Sequence, residues 1–284
     1  AAQAGVAVLV AAALTVAGGA GVAAWPRGAA PPRPPVEAGP VLAPVAYQYP
    51  DDAPEAGTRL RALAGRITAA DHDGESGKYG YHRVKSWGAV RQTSPEGLEM
   101  SYVLDEQSWV AADGSGRLHT VQLPPEFPSA RSREYWLPKL AEQTAAGSAD
   151  TVDDLGPGLA GPAGPPPTGP ALRERLHRGG RAADPLRAVM DLFGGHVLPL
   201  AHRAEILREL AAVPAVSWRG EVRDRAGRNG VAVTADDPQH RIQLLLVFDP
   251  QTGDLLAYEH LDLARGEVLA YLLFLDYGRT EQLG

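Results

Sequence analysis

The distribution of hydrophobic positions divides the chain into an uncharged opening run, a proline-rich segment and a long region of alternating patterns. Residues 1–25 carry no charge and are mostly Ala, Val and Gly. About 20 apolar residues suffice to cross a bilayer as a helix, and Trp25 lies where an interfacial aromatic is expected. We therefore predict a transmembrane helix over 1–25. The alternatives are a secretory signal peptide ending near Val22-Ala23-Ala24 and an apolar terminal helix of a soluble protein.

A proline-rich segment follows the apolar run. Nine prolines occur in fewer than thirty residues, a density that opposes a packed core and favours extended polyproline geometry. We predict a stalk over 26–57 that holds a domain spanning 58–284 away from the membrane. Arg27 and Arg33 lie just after the apolar run, and taken alone they favour a cytoplasmic position for that domain.

The pattern after the stalk predicts one helix and three strands. Apolar residues at helical spacing indicate a helix over 58–70. Alternating side chains indicate strands over 79–88, 100–112 and 117–123. The last two flank Asp113-Gly114-Ser115-Gly116, whose glycines suit a hairpin turn.

A helical insertion separates these strands from five more. Helices are predicted over 134–146 (interrupted by Pro138), 171–178, 184–193 and 199–213, and a flexible Gly/Pro-rich insertion over 147–170. Strands are predicted over 216–223, 231–234, 242–248, 255–263 and 268–275. The run 242–248 is apolar on both faces, so we place it centrally in the sheet. Because the helices are grouped and the strands are joined by short turns, we predict an α+β fold. Its curved antiparallel sheet has about eight strands, three plus five, with the helical insertion covering one face.

Composition and motifs exclude several function classes. The formal net charge of −7 argues against nucleic-acid binding, since such domains are usually basic. The absence of cysteine excludes disulfides, thiol catalysis and cysteine metal sites. The sequence has no H-E-x-x-H, no Walker A motif, no nucleophile elbow, and no G-x-G-x-x-G opening a βαβ unit. We therefore expect no enzymatic activity, no cofactor and no metal.

Two groups of potential metal ligands have a simpler interpretation. Asp71-His72-Asp73-Gly74 follows the first predicted helix, and adjacent residues rarely converge on one ion without further ligands. We interpret this run as a solvated helix end. His196 and His202 flank the start of a later helix without nearby carboxylates, which favours surface or structural roles.

Several short patterns resemble a family of actinobacterial single-pass membrane proteins that are often encoded beside extracytoplasmic-function sigma factors. They are the run 108–117, Pro199 with Arg203 and Leu207, 210–214, Gly227-Arg228-x-Gly230, and Phe248-Asp249-Pro250-x-Thr252-Gly253. The turn residues that carry this resemblance are Asp113, Gly114, Gly116, Asp249, Pro250 and Gly253. The resemblance implies a short cytoplasmic tail, one membrane helix and an external domain, and it carries over no catalytic residue. The order of elements is also similar to the half-barrel of lipoprotein carriers and periplasmic sigma-regulator domains.

Three functions are compatible with these observations. The first is a membrane-anchored extracytoplasmic sensor or regulatory domain that binds a protein partner or an apolar ligand, with a link to sigma-factor signalling. The second is a lipid or lipoprotein carrier, and the third a structural interaction module without a small-molecule ligand. The aromatic residues that could line a ligand cavity, or else belong to an ordinary core, are Tyr79, Tyr81, Trp87, Tyr102 and Trp109.

Overall fold

The computed structural model describes residues 56–92, 98–144 and 150–284. The predicted transmembrane helix over 1–25 and nearly all of the predicted stalk lie outside the described residues. Within the described ranges, no helix is both long and apolar enough to span a bilayer.

The described elements alternate in groups, as the sequence predicts. In chain order they are α1 (Ala56–Arg66), a 3-10 turn (Asp71–Gly74), β1 (Tyr79–Gln92), β2 (Leu98–Ala111), β3 (Gly116–Glu126), α2 (Ala130–Thr144), β4 (Asp150–Leu155), α3 (Gly169–His177), α4 (Asp184–Gly195), α5 (Leu200–Leu210), β5 (Ser217–Arg223), β6 (Asn229–Asp237), β7 (Ile242–Phe248), β8 (Leu255–Asp262) and β9 (Val268–Thr280). The helix predicted over 134–146 was expected to be interrupted by Pro138, whereas α2 continues through this residue.

All nine strands form one open antiparallel sheet in the order β4-β3-β2-β1-β9-β8-β7-β6-β5. The first group of strands, β1 to β4, therefore meets the second group, β5 to β9, where β1 pairs with β9. The α+β class is confirmed. As predicted, β7 lies centrally within its half, between β6 and β8.

The described sheet has nine strands where about eight were expected, because β4 forms within the segment predicted to be a flexible insertion. Three of its six residues are aspartates, which hide the strand pattern in the sequence. The structure satisfies two of them across the β3–β4 pair. Arg117 donates to Asp154 through Nε at 2.7 Å, and His119 lies 2.8 Å from Asp150. Acidic side chains are well tolerated on such an edge strand, where they face water and discourage edge-to-edge pairing.

One face of the sheet is buried beneath helices. The apolar sides of α1, α3, α4 and α5 join the inward-facing residues of β5 to β9 in one continuous cluster, which we call the helix–sheet layer. Leu186 and Leu192 of α4 and Leu207 of α5 are fully buried in it. A second cluster, formed by Leu245, Val247, Ala257 and their neighbours, buries the opposite face of β6 to β9. The central strands are therefore apolar on both sides.

Candidate functional site

The helix–sheet layer is where a cavity for an apolar ligand would be expected, and its own side chains occupy it. Leu186, Leu192, Leu207, Leu244 and Phe248 each have 0% of their surface exposed. A void large enough for a water molecule would leave accessible surface on the residues that border it. No void of that size therefore borders these five side chains.

The five aromatic residues predicted to line a cavity do not converge on one site. Tyr79, Tyr81 and Trp87 occupy alternate positions of β1, and Trp109 faces Tyr81 across the β1–β2 pair with ring centroids 5.3 Å apart. Tyr102 pairs with Gly88, so it lies on the opposite face of the sheet.

The positions of β1 that alternate with these aromatics face the helices. His82 lies edge-on to the ring of Tyr277 with centroids 5.7 Å apart, and Tyr277 also contacts Phe193 of α4 at 6.4 Å. Four of the predicted aromatics therefore point away from the helix–sheet layer, where the cavity was expected.

On the face of the sheet that points away from the helix–sheet layer, Trp87 belongs to a buried stack that the sequence did not reveal. Its ring is nearly parallel to that of Tyr271, with centroids 5.7 Å apart. The guanidinium of Arg225 lies 5.2 Å from the centre of the Tyr271 ring, and it donates to Glu259 through Nη2 at 2.7 Å. Burial raises the pKa of Tyr271 to about 12. The stack fixes the β5–β6 turn against β1, β8 and β9.

Arg203 is the centre of a second buried polar cluster, on the side of the sheet that carries the helices. This side chain of α5 has 0% exposure. Its Nη2 donates to Asp73 at 2.6 Å, and Nη1 donates to the same carboxylate at 3.1 Å. Nη1 also donates to Nε2 of His72 at 2.9 Å and to the Leu198 carbonyl at 2.6 Å, while Nε donates to the Thr252 carbonyl at 2.8 Å. A single guanidinium thus joins the 3-10 turn, the start of α5 and the β7–β8 turn.

Asp73 connects these elements a second time. Its Oδ1 accepts the backbone N–H of Leu200 at 2.9 Å, which satisfies a free donor in the first turn of α5. Burial raises the pKa of Asp73, but the hydrogen bond from Arg203 and the other donors outweigh it and bring the pKa below its usual value. The solvated helix end expected for 71–74 is therefore a partly buried capping turn.

The cluster extends to two other titratable groups whose environments oppose charge. Burial raises the pKa of Asp254, although Nε of Arg203 lies 3.3 Å from its carboxylate. Burial lowers the pKa of His82 to about 4 and outweighs the backbone of His196, which acts in the opposite direction. A neutral buried histidine of this kind contributes to structure at pH 7 and becomes unfavourable on protonation.

The turn residues singled out by sequence resemblance stabilise turns. In the β2–β3 hairpin, Oδ1 of Asp113 accepts the N–H and the hydroxyl of Ser115 at 2.9 and 2.6 Å, and the carbonyl of Gly114 accepts the N–H of Ala160 at 2.9 Å. A Cβ at Gly116 would lie 1.7 Å from the carbonyl oxygen of Trp109, so only glycine fits there.

The β7–β8 turn is built in a similar way. Oδ1 of Asp249 accepts the N–H groups of Gln251 at 2.7 Å and of Thr252 at 3.0 Å. Pro250 lies between Asp249 and Gln251 in the chain. Gly253 has φ of +75°, a backbone conformation that glycine adopts without strain. This geometry directs the Thr252 carbonyl toward Arg203.

A polar cleft of about 440 Å³ opens between the end of α3 and the start of α4. We call it the arginine cleft. Its charged lining residues are Arg175, Arg178, Arg181, Arg187, Asp184 and Asp191. Two more carboxylates lie beside it, because Glu174 is 3.7 Å from Arg178 and Asp237 is 2.5 Å from Arg187. The sequence shows these arginines, but their convergence depends on how α3 and α4 pack.

No protein-family model and no curated protein sequence matches the chain. Its structure is weakly similar to that of MucB in complex with MucA(peri), with 16% identity, a TM-score of 0.30, and coverage of 80% of this chain and 56% of that one. The Pseudomonas aeruginosa MucA/MucB complex gives 17% identity, a TM-score of 0.29, and coverage of 81% and 59%. A DUF1329 family protein from Desulfovibrio piger gives 8% identity, a TM-score of 0.21, and coverage of 81% and 96%. This chain therefore spans less than two thirds of the MucB chains it matches, and membership of the actinobacterial family stays a prediction.

Proposed function

We propose that this protein is a membrane-anchored extracytoplasmic regulatory domain that acts by binding a protein partner. The observation that carries the proposal is the filled helix–sheet layer. A carrier of apolar ligands needs an apolar space, whereas the described side chains at the centre of this layer border no void of even water size. The arginine cleft is lined by charged groups and suits polar recognition.

The proposal includes no catalytic step. Several buried or partly buried carboxylates of the described residues are each held by an arginine, which fixes their orientation. These pairs are Asp73 with Arg203, Asp105 with Arg83, Asp224 with Arg228, Asp237 with Arg187, and Glu259 with Arg225. Carboxylates engaged in this way are poorly suited to exchange protons with a substrate.

The extracytoplasmic placement and the link to sigma-factor signalling derive from the sequence resemblance alone. The apolar run over 1–25 supports the membrane anchor, and Arg27 and Arg33 after it favour the cytoplasmic side. Reporter fusions after Gly284 test the placement in cells. An alkaline phosphatase fusion should be active and a β-galactosidase fusion inactive, because the first requires export and the second requires the cytoplasm. The reverse pattern would place the domain inside the cell and contradict this part of the proposal.

The choice between a regulatory domain and a carrier is tested by mass spectrometry of the chain purified from its own membrane. We expect no lipid to be retained in stoichiometric amount, both in the native mass spectrum and in the organic extract. A matched sample of a known lipid carrier, purified in the same detergent, controls for lipid loss. One retained lipid per chain would favour the carrier function instead.

A further inference from the structure

The guanidiniums of the arginine cleft differ in how far they are already engaged. Arg187 is held by two carboxylates: Nη1 donates to Asp184 at 3.2 Å and Nη2 to Asp237 at 2.5 Å. Arg178 lies 3.7 Å from Glu174, and both side chains are 76% exposed, so water competes strongly for that pair. Nε of Arg175 is buried and makes no hydrogen bond to any described residue.

Helix dipole effects explain only part of this arrangement. Arg175 lies in the last turn of α3, where a cation is favoured by the negative end of the helix. Arg178 is the C-cap of α3 and is favoured in the same way, whereas Arg181 lies three residues further along the chain. Their exposed side chains line the cleft together with Arg175. The cleft thus offers three guanidiniums that are incompletely satisfied by the residues around them.

The backbone at the start of α4 does not form an oxyanion cradle. The N–H of Arg181 donates to Oδ2 of Asp184 at 2.9 Å, and that of Asp184 donates to the Arg181 carbonyl at 3.2 Å. The N–H groups of Leu186 and Arg187 both donate to the carbonyl of Ala183, and Pro185 has no N–H. A phosphate bound to free backbone donors, as at many helix N-termini, has no place here. Recognition must come from the guanidinium side chains.

We propose that the arginine cleft binds an acidic segment of a protein partner, with Asp or Glu carboxylates seated between Arg175, Arg178 and Arg181. Guanidinium forks match carboxylates in a bidentate geometry. The three arginines recur at intervals of three residues from the last turn of α3 into the loop that follows, and all three line the cleft, so one peptide can offer a carboxylate to each of them. This inference rests on the proposed function, because it names the partner chemistry.

The direct test is the binding of a fluorescein-labelled hexaglutamate peptide to the full chain, followed by fluorescence anisotropy. We expect saturable binding that weakens as salt is raised, because exposed ion pairs are screened. An exposed ion pair contributes up to about fivefold in affinity, so the variant R178Q/R181Q should weaken binding by several-fold and by at most about 25-fold. The matched control R208Q removes an exposed arginine of α5 outside the cleft and should leave the affinity within twofold. A labelled hexaglutamine peptide should not bind.

Three results would overturn the inference: no binding of hexaglutamate, equal binding by R178Q/R181Q and R208Q, or full competition by inorganic phosphate at micromolar concentration. The last result would identify a small oxyanion as the ligand. Arg178 and Arg181 are exposed, so both variants are expected to fold, and circular dichroism confirms it. If hexaglutamate fails to bind while the purified chain retains no lipid, this inference fails and the regulatory function stands. A retained lipid would instead refute the proposed function itself.

Discussion

Replacing Arg203 with Met should be among the most destabilising single changes in the domain. Methionine keeps a linear apolar stem but removes the guanidinium that donates to Asp73, His72 and two backbone carbonyls. Asp73 would keep its bonds from Ala70 and Leu200, but its charge would lose the only cation paired with it among the described residues.

The expected magnitude follows from the burial of this pair. Removing one partner of a buried ion pair typically costs about 3–5 kcal/mol, and because Asp73 is 13% exposed and can still meet water, we expect the lower end, about 3 kcal/mol. For a domain of this size, that corresponds to a fall in Tm of roughly 10 °C. The energy of the pair itself is measured by adding Asp73→Asn, since contacting residues are coupled. The double variant should be less destabilised than the sum of the single variants, by about 1–3 kcal/mol.

Urea denaturation followed by circular dichroism measures these values, and Arg173→Met provides the control. Arg173 also forms a bidentate pair, with Glu209, but its side chain is 64% exposed. Exposed pairs contribute about 0–1 kcal/mol, so the control should remain near the wild type. If Arg203→Met costs less than the control, the Arg203 cluster does not hold the three elements together and the reasoning is wrong.

Three further predictions concern other parts of the fold. His82 has a pKa of about 4 when folded and about 6.5 when unfolded, so its contribution is complete above pH 6.5 and is lost toward pH 4. Protonation of His82 should lower the free energy of unfolding by about 3 kcal/mol. Urea denaturation at pH 7.5 and at pH 4.5 should show a smaller decrease for His82→Phe than for the wild type. An equal decrease in the two proteins would contradict the assignment to His82. Gly253→Ala should lower the free energy of unfolding by about 2 kcal/mol or more, because φ is +75° there and the new Cβ would lie 2.9 Å from a neighbouring side chain. Gly227 has a similar φ of +78° but open space around it, so Gly227→Ala should cost about 1 kcal/mol. Glu259→Gln should lower the free energy of unfolding by about 3 kcal/mol by leaving Arg225 without its carboxylate, and a loss under 1 kcal/mol would refute that.

The sequence predicted the elements better than it predicted their contacts. Periodicity identified the α+β class, the β2–β3 hairpin and the central strand β7, since each depends on local pattern. It missed β4, whose stability comes from pairing with β3 and from Arg117 and His119, both distant in the chain.

The candidate site depended even more on tertiary structure. Alternation correctly placed Tyr79, Tyr81 and Trp87 on one face, but the register of β1 with β2 decided that Trp109 joins them and Tyr102 does not. A shift of one residue in that register would have reversed both assignments. Arg203 appeared in the sequence only as one residue of a resemblance pattern. Its burial could not be predicted, because its partners come from segments about 130 and 50 residues away.

In the part of the chain that the structure describes, the protein's own side chains fill the centre of the helix–sheet layer and leave no room there for an apolar cargo. Titration of the purified chain with the apolar fluorophore N-phenyl-1-naphthylamine tests this central claim most directly. Phe193→Ala provides the positive control, since removing a buried ring from this layer opens an apolar cavity. We predict no saturable binding by the wild type and measurable binding by Phe193→Ala. Saturable binding of one fluorophore per wild-type chain would contradict the account.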